Sequence, residues 1–310
     1  MQGTTSQIAI IIITYNRPED MLELAQNISR LKQLTALNSE VIIVNNKSTV
    51  PYTALEDFIS KNSNLPFRYF MADENLGVSG GRNFALQKSS APILIFLDDD
   101  AFFQQEDALV KTLEIFNSSD PGDNRAVGIV SYKVLYHSTG QLQQNAFPHK
   151  RFNRYKQLHH FQTSYFAGGA NAMRREVLDK TGNFPGNFFY GMEEYDLSYR
   201  VLNAGYSIVY DDRVTVLHKE SPHGRLHNRK KLQSLWINKS KVAWKYLPAV
   251  YFFTTSVLWS FQYLYKGGFP VGGWFKGWFE IMRIPGKEKR KVITRDTLRY
   301  LEKVKARLWY

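Results

Sequence analysis

Four short apolar runs constrain this chain more than anything else in it: "IAIIII" at 8–13, "VIIV" at 41–44, "FRYFM" at 67–71 and "ILIFL" at 93–97. Each is β-branched or aromatic and nearly unbroken, which is how a strand buried on both faces reads. A strand with one wet face would alternate instead. Between the runs lie stretches with helical spacing, "PEDMLELAQNISRLKQL" (18–34), "TALEDFISK" (53–61) and "SGGRNFALQKS" (79–89). Strands alternating with helices predict an α/β fold, a parallel sheet with helices on both sides. Beyond residue 100 the pattern loosens. A strand is expected over 126–138, a polar loop over 141–162, a helix over 192–206 stopped by Gly205, and a strand over 207–218. Helical spacing returns from about residue 228.

Ligands of open parallel sheets bind outside the carboxyl ends of the strands, and the polar clusters of this chain sit there. Thr14, Tyr15, Asn16 and Arg17 follow the first strand, Asn45, Asn46 and Ser48 the second, Asp73, Glu74 and Asn75 the third, and Asp98, Asp99 and Asp100 the fourth. Asp98 and Asp100 are hard oxygen ligands suited to Mg²⁺ or Mn²⁺ shared with substrate phosphates. Taken alone, the acidic triplet would also suit a solvated loop; the company of the other strand ends favours the metal.

Other motifs carry two readings each. "NLGVSGGRNFALQ" (75–87) puts three glycines at a helix start, where backbone N–H groups can approach phosphates and Arg82 adds a fork of donors. An ordinary glycine-rich helix start looks the same, and the Gly-Lys-Ser/Thr ending of a Walker loop is missing. In "GMEEYDLSYR" (191–200), Glu193, Asp196 and Arg200 share one helical face while Glu194 points elsewhere. Acids there serve either as a general base or as complements to the helix dipole. His218, at the end of "VTVLH", is a metal ligand or a polar strand terminus. His223, Arg225, His227 and Arg229 form a basic stretch that either holds phosphate or is solvated.

The absence of cysteine excludes disulfides and thiolate metal sites. The opening "MQGTTSQIAIIIITYNRPED" lacks the basic n-region and cleavage site of a secretory signal, so a cytoplasmic protein is expected. Net charge is +12, unevenly placed: residues 1–218 carry 20 basic and 23 acidic side chains, residues 219–310 carry 20 and 5. Such a basic tail suits an anionic surface. It contains "YLPAVYFFTTSVLWSFQYLY" (246–265), 20 residues without a charge. That is long enough to span a bilayer, though Thr254, Thr255, Ser256, Ser260 and Gln262 dilute it. Trp274, Trp278 and a basic run follow, as in an interfacial helix on anionic lipid. Docking on a membrane, spanning it, and packing against protein all remain open, with docking favoured. The long aromatic stretch argues for lipid over nucleic acid.

Together these motifs resemble the family 2 glycosyltransferases, inverting nucleotide-sugar enzymes of the GT-A fold. The resemblance runs over roughly residues 7–218, in the order "IIITYNRPE", "VIIVNNKST", "ENLGVSGGRN", "FLDDDA", "AGGANAMRREV" and "FFYGMEEYDLSYRVLNAGY". It is nearest in shape to rhamnosyltransferase-like bacterial enzymes that build cell-surface polysaccharide on lipid carriers. The resemblance implies a catalytic domain over 1–227 with a Rossmann-like mixed sheet, and a helical, aromatic and basic membrane-docking extension over 228–310. It implies that Asp98 and Asp100 form a DXD motif holding Mn²⁺ or Mg²⁺, with His218 as a further metal ligand. Glu194 would be the general base, with Glu193 beside it as the other candidate. Thr14, Arg17 and Asn45 would line the nucleobase pocket, and Asn75, Gly77, Arg82, Asp98 and Asp99 would complete the nucleotide-sugar site. Two positions depart from the family pattern: Asn45 stands where an aspartate is common, and the base is Glu where Asp is usual.

The implied reaction moves a sugar from a UDP- or dTDP-linked donor to a hydroxyl of a glycan or lipid-linked acceptor, at the inner face of the cell membrane. A nucleotidyltransferase making nucleotide-sugars is the alternative, but it should carry a glycine-rich loop after the first strand, where "TYNRPED" stands. A decayed membrane-binding protein would not need Asp98, Asp100, Glu194 and His218 intact. Which sugar, which acceptor hydroxyl and what oligomeric state are not written in the sequence.

Overall fold

A computed structural model describes residues 6–118, 125–188, 190–220 and 228–309. The first half alternates as expected. Strands β1 (Ile8–Thr14), β2 (Glu40–Asn45), β3 (Phe67–Met71) and β4 (Ile93–Asp98) are separated by helices α1 (Pro18–Ser29), α2 (Thr53–Lys61) and α3 (Gly77–Leu86). The four strands are parallel in the order β3-β2-β1-β4, with Ile10 opposite Val41 on one side and Ile95 on the other. Both faces of β1, β2 and β4 are dry, but β3 is not: it is the edge strand, Arg68 and Met71 are exposed, and the two-sided burial expected for 67–71 is not met. Ala9, Ile11, Ile42, Val44, Leu94 and Phe96 enter one core, while Ile8, Ile10, Ile12, Val41, Ile43, Ile95 and Leu97 enter the other, against α1 and α2. Burying each such side chain contributes about 1.5–3 kcal/mol, which fixes strand register from both sides.

The helix over 18–34 ends at Ser29 rather than Leu34. Leu31 and Leu34 are still buried, but through successive turns that repeat every three residues, so apolar spacing outlasts the helix. The expected helix over 79–89 starts at Gly77 and stops at Leu86.

Past residue 100 the sheet turns mixed. Strands β5 (Ala101–Phe103), β6 (Val127–Tyr136), β7 (His160–Thr163), β8 (Ala170–Arg174) and β9 (Ser207–His218) extend it as β4-β8-β6-β9-β5, with β7 paired to β9. Strand β8 is antiparallel to both β4 and β6, while β6 and β9 are parallel. The polar loop expected over 141–162 instead contains a turn of helix, α5 (Phe152–Tyr155), and runs into β7. Long-range pairing to β9 makes that strand, and local spacing does not record it. Helices α4 (Ala108–Asn117), α6 (Arg175–Thr181) and α7 (Glu193–Asn203) complete this half, and Gly205 at φ 90° ends α7 as expected.

Four helices follow: α8 (Asn228–Tyr246), α9 (Ala249–Gly267), α10 (Val271–Lys287) and α11 (Arg295–Lys303). Their buried side chains join the core under β1 and β4, with Trp236, Tyr246, Tyr263, Ile281 and Leu301 in one apolar cluster with Ile11 and Phe96. Trp236 is fully buried. It stacks on Tyr263 at 5.5 Å, meets Trp278 edge-on at 5.6 Å and donates to the Ser256 carbonyl at 2.9 Å. A Cβ on Gly277 would lie 2.2 Å from its ring, so α10 seats there only because it presents glycine. Trp236→Ala is expected to destabilise the protein by about 3–5 kcal/mol, read from denaturant unfolding; a loss below about 1 kcal/mol would mean the site collapses around the cavity. Among the described residues, no helix is long and apolar enough to cross a membrane.

Candidate active site

Chain order places the site. From β1 the chain winds outward through β2 to β3, then returns to lay β4 on the other side of β1. The strand ends at such a reversal leave a crevice, and Ile13 of β1 is in register with Asp98 of β4 at its mouth. A cleft of about 590 Å³ opens there, lined by Thr14, Arg17, Asn46, Asn75, Gly77, Arg82, Asp98, Asp99, Asp100, Glu194 and His218 among others.

Within the acidic triplet the three carboxylates have separate surroundings. The Asp98 side chain is the most open of them and lies 3.7 Å from Arg82 Nη2. Asp99 turns inward, accepting from Arg17 Nη1 at 2.7 Å and Thr14 Oγ1 at 2.8 Å. The same Arg17 nitrogen is 3.2 Å from Asp100, whose other oxygen is 3.1 Å from His218 Nε2. Burial pushes the Asp99 carboxyl up to about 7 against the pull of Arg17 and Thr14, and the neighbouring Asp100 and Asp98 charges add to the rise.

One carboxylate oxygen each from Asp98 and Asp100 and a ring nitrogen of His218 lie within 4.8 Å of one another, close enough to share one ion. The donor set fits a divalent cation, since carboxylate oxygens suit Mg²⁺ and Mn²⁺ alike. Gln143 Oε1 sits 3.0 Å from His218 Nδ1, so with the proton on Nδ1 the lone pair of Nε2 faces the carboxylates. Gln143 comes from the segment read as a polar loop, where nothing local marks it.

The first turn of α7 reaches the same cleft. Glu194 lines the cleft and Glu193 does not; Glu193 is buried, with one carboxylate oxygen lacking a hydrogen-bond partner. The expected common face of Glu193, Asp196 and Arg200 is therefore the inner face, and the outlying Glu194 is the one at the cavity. Burial, reinforced by the adjacent Glu193 charge, raises the Glu194 carboxyl above the usual carboxylate range. The loop before α7 is tied to α8. Asn238 donates to the carbonyls of Tyr190 and Gly191, each at 3.0 Å, while Gly191 and Met192 hold φ values of 77° and 73°. Asp196 binds Arg200, Lys245 and Tyr246.

Gly168 and Gly169 separate the two carboxylate centres. A Cβ on Gly168 would lie 2.0 Å from Glu194 Oε1, and one on Gly169 would lie 2.1 Å from Asp98 Oδ2. Only glycine lets both acids reach the cleft across this strand start. The Gly168 carbonyl accepts from Arg82 Nη2 and Asn171 Nδ2, both at 2.8 Å, and the buried Arg82 Nη1 has no hydrogen-bond partner. The pair was visible in "AGGANAMRREV", where adjacent glycines before a strand signal close backbone approach.

Several sequence expectations need correction. Asn45 is fully buried, turned to Tyr69 and the Ser48 amide, and does not line the cleft. Its neighbour Asn46 does, bracing Asn75 Oδ1 and the Gly77 carbonyl. One position along a strand end reverses the face. Of the three glycines in 75–87, Gly77 lines the cleft, whereas Gly81 packs its bare Cα on Ile13 and Gly80 packs on Leu76. Those two serve helix packing rather than phosphate approach. Arg229 donates to the Gly267 carbonyl, away from the cleft, and His223, Arg225 and His227 lie outside the described residues.

Comparison with known proteins gives a consistent result. Residues 9–182 match the family model described as glycosyl transferase family 2. The O-antigen chain rhamnosyltransferase WbaN of Salmonella anatum is 24% identical over 192 residues, 59% of this chain and 57% of that relative. Residues 1–349 of S. aureus TarS, in complex with UDP-GlcNAc, superpose with a TM-score of 0.60 at 13% identity, covering 90% of this chain and 81% of that one. The mannosyltransferase PcManGT of Pyrobaculum calidifontis, in complex with GDP-Man and Mn²⁺, gives 0.57 at 15% identity, over 97% and 80%. At such identities the superpositions show a shared fold.

Proposed function

The chain belongs to glycosyl transferase family 2, with the GT-A fold, and from that premise we propose that it is a metal-dependent, inverting transferase of cell-surface polysaccharide synthesis. The donor is a UDP- or dTDP-linked sugar, and the acceptor is a hydroxyl of a glycan or lipid-linked saccharide. It works at the inner face of the cell membrane, against anionic lipid. One observation carries the reading: Asp98, Asp100 and His218 converge in a cleft that Glu194 also lines. The polysaccharide assignment draws on the likeness to WbaN, and the donor and metal on the nucleotide-sugar and Mn²⁺ complexes of the structural neighbours.

In this mechanism Thr14 and Asp99 hold Arg17 at the donor end, where its guanidinium offsets developing charge. Asn46 keeps Asn75 and Gly77 at the cleft wall for the nucleotide. Arg82, which lines the cleft beside Asp98 and has no hydrogen-bond partner at Nη1, takes a diphosphate oxygen. A bound Mn²⁺ or Mg²⁺, held by Asp98, Asp100 and His218, supplies Lewis-acid stabilisation of the diphosphate leaving group. Glu194 removes the acceptor hydroxyl proton as that oxygen attacks the anomeric carbon from the face opposite the leaving group. A single displacement inverts the centre.

A thermal-shift series with UDP-, dTDP- and GDP-sugars tests the donor assignment. A ligand confined to the folded state raises Tm. One of the UDP or dTDP donors should do so only with Mn²⁺ or Mg²⁺ present. A shift of the same size in EDTA would remove the metal, and a shift with GDP-sugars alone would reassign the donor.

A further inference from the structure

Resting on the lipid-linked acceptor proposed above, we propose that the outer face of the α9–α10 pair is the surface by which this protein lies on an anionic bilayer. Helix α9 buries Tyr251, Phe252 and Tyr263 yet leaves a second apolar face in the open. Its hydroxyl residues Thr255, Ser256 and Ser260 are buried against the body. Its exposed stripe is apolar: Val250, Phe253, Val257, Phe261 and Tyr265 recur every three or four residues, with Phe253 63% and Phe261 62% exposed. Helix α10 packs beside it and exposes an apolar stripe of its own, Val271, Phe275, Phe279 and Met282, each more than half exposed. Patches this extended mark an interaction site rather than ordinary surface.

Charge selects the occupant. Helices α9 and α10 carry Lys266, Lys276, Arg283 and Lys287 against a single acid, Glu280, which is itself paired with Arg283 and Lys287 at 3.6 Å. Residues 219–310 hold 20 basic and 5 acidic side chains. A second copy of the chain would bring the same cationic rim against itself. An anionic lipid surface complements both the apolar stripe and its rim. Since neither helix is long and apolar enough to cross, the pair lies in the interface with its aromatic side chains inserted. The inner side of the pair rests through Trp236 on α8, the helix whose Asn238 holds the loop before Glu194. Docking on this face thus orients the catalytic body relative to the lipid.

Flotation of the full chain tests this, using vesicles of phosphatidylcholine with phosphatidylglycerol and vesicles of phosphatidylcholine alone. The comparison is the quadruple variant Phe253→Ser, Phe261→Ser, Phe275→Ser, Phe279→Ser, whose four sites are each more than half exposed. Wild type should float with the anionic vesicles, less at high salt, and the variant should lose about tenfold or more of that binding. The variant should keep the nucleotide-dependent Tm shift of wild type, which shows that it is folded and separates this test from that of the donor site. Wild type remaining unbound, or a variant that floats equally well, overturns the docking face. So does a dimer, seen by light scattering without vesicle binding and abolished by the four substitutions, which would make the face a contact between copies.

Discussion

Glu194→Gln is expected to lower the turnover number by about 10²–10⁴-fold, the range a positioned general base supplies, while donor binding stays intact. The carboxamide keeps the size and reach of the side chain and its place beside Gly168, but it cannot take up the acceptor proton. Glu193→Gln, away from the cleft, should cost far less. The pH profile gives a second readout. Because burial and Glu193 raise the Glu194 carboxyl, it is protonated, and useless as a base, at pH values where an ordinary glutamate is ionised. Turnover at saturating metal should therefore rise with pH through that raised value, and the limb should vanish in Glu194→Gln. The linked effect on stability has the opposite sense. The folded state binds this proton more tightly than the unfolded chain, so the Glu194 contribution to stability falls as pH rises from the usual carboxylate range through the raised value. Glu194→Gln should melt no lower than wild type in mild alkali. Near-normal turnover in the variant, with the acid limb in place, would move the base elsewhere.

Asp100→Ala is expected to abolish metal-dependent nucleotide binding. Removing even an outer partner of a metal ligand costs about 10–100-fold, and a direct ligand should cost at least as much. The carboxylate of Asp100 also gathers Arg17 at 3.2 Å and His218 at 3.1 Å, so its loss leaves Arg17 to Asp99 and His218 to Gln143. Titration calorimetry with Mn²⁺ and the matched nucleotide should show no metal-dependent heat, whereas metal-independent nucleotide affinity should change little. Asp100→Asn, which keeps shape without charge, should fall between the two. Binding in Asp100→Ala that still responds to Mn²⁺ as in wild type would remove Asp100 from the metal site. Removing Asp99 predicts a different signature: its oxygens hold Arg17 and Thr14, so Arg17 positioning should suffer more than the response to metal.

Much of this was legible before any coordinates. The unbroken apolar runs at 8–13, 41–44 and 93–97 reported strands with two dry faces, and the two cores under β1, β2 and β4 are the reason. The clustering of Thr14, Arg17, Asp98, Asp99 and Asp100 at strand ends located the cleft, because a parallel sheet puts those ends side by side. The antiparallel strand β7 escaped notice because its partner, β9, is about fifty residues distant and leaves no local period.

Burial of a given residue is a local property that sequence periodicity records; which neighbour supplies that burial is not. The sequence by itself therefore determined the two-faced strands, the acidic strand end and the basic tail with its uncharged stretch at 246–265. It could not decide between Glu193 and Glu194, or Asn45 and Asn46, since one residue of rotation at an element's end exchanges core for cleft and only the surrounding backbone sets that rotation. Nor could it tell that Gly168 and Gly169 leave room for two carboxylates, because close approach involves segments far apart in the chain. The same holds for α9. Its composition announced a helix of mixed apolar and hydroxyl residues, and packing in the folded chain turned Thr255, Ser256 and Ser260 inward with Phe252, and left Phe253 and Phe261 out.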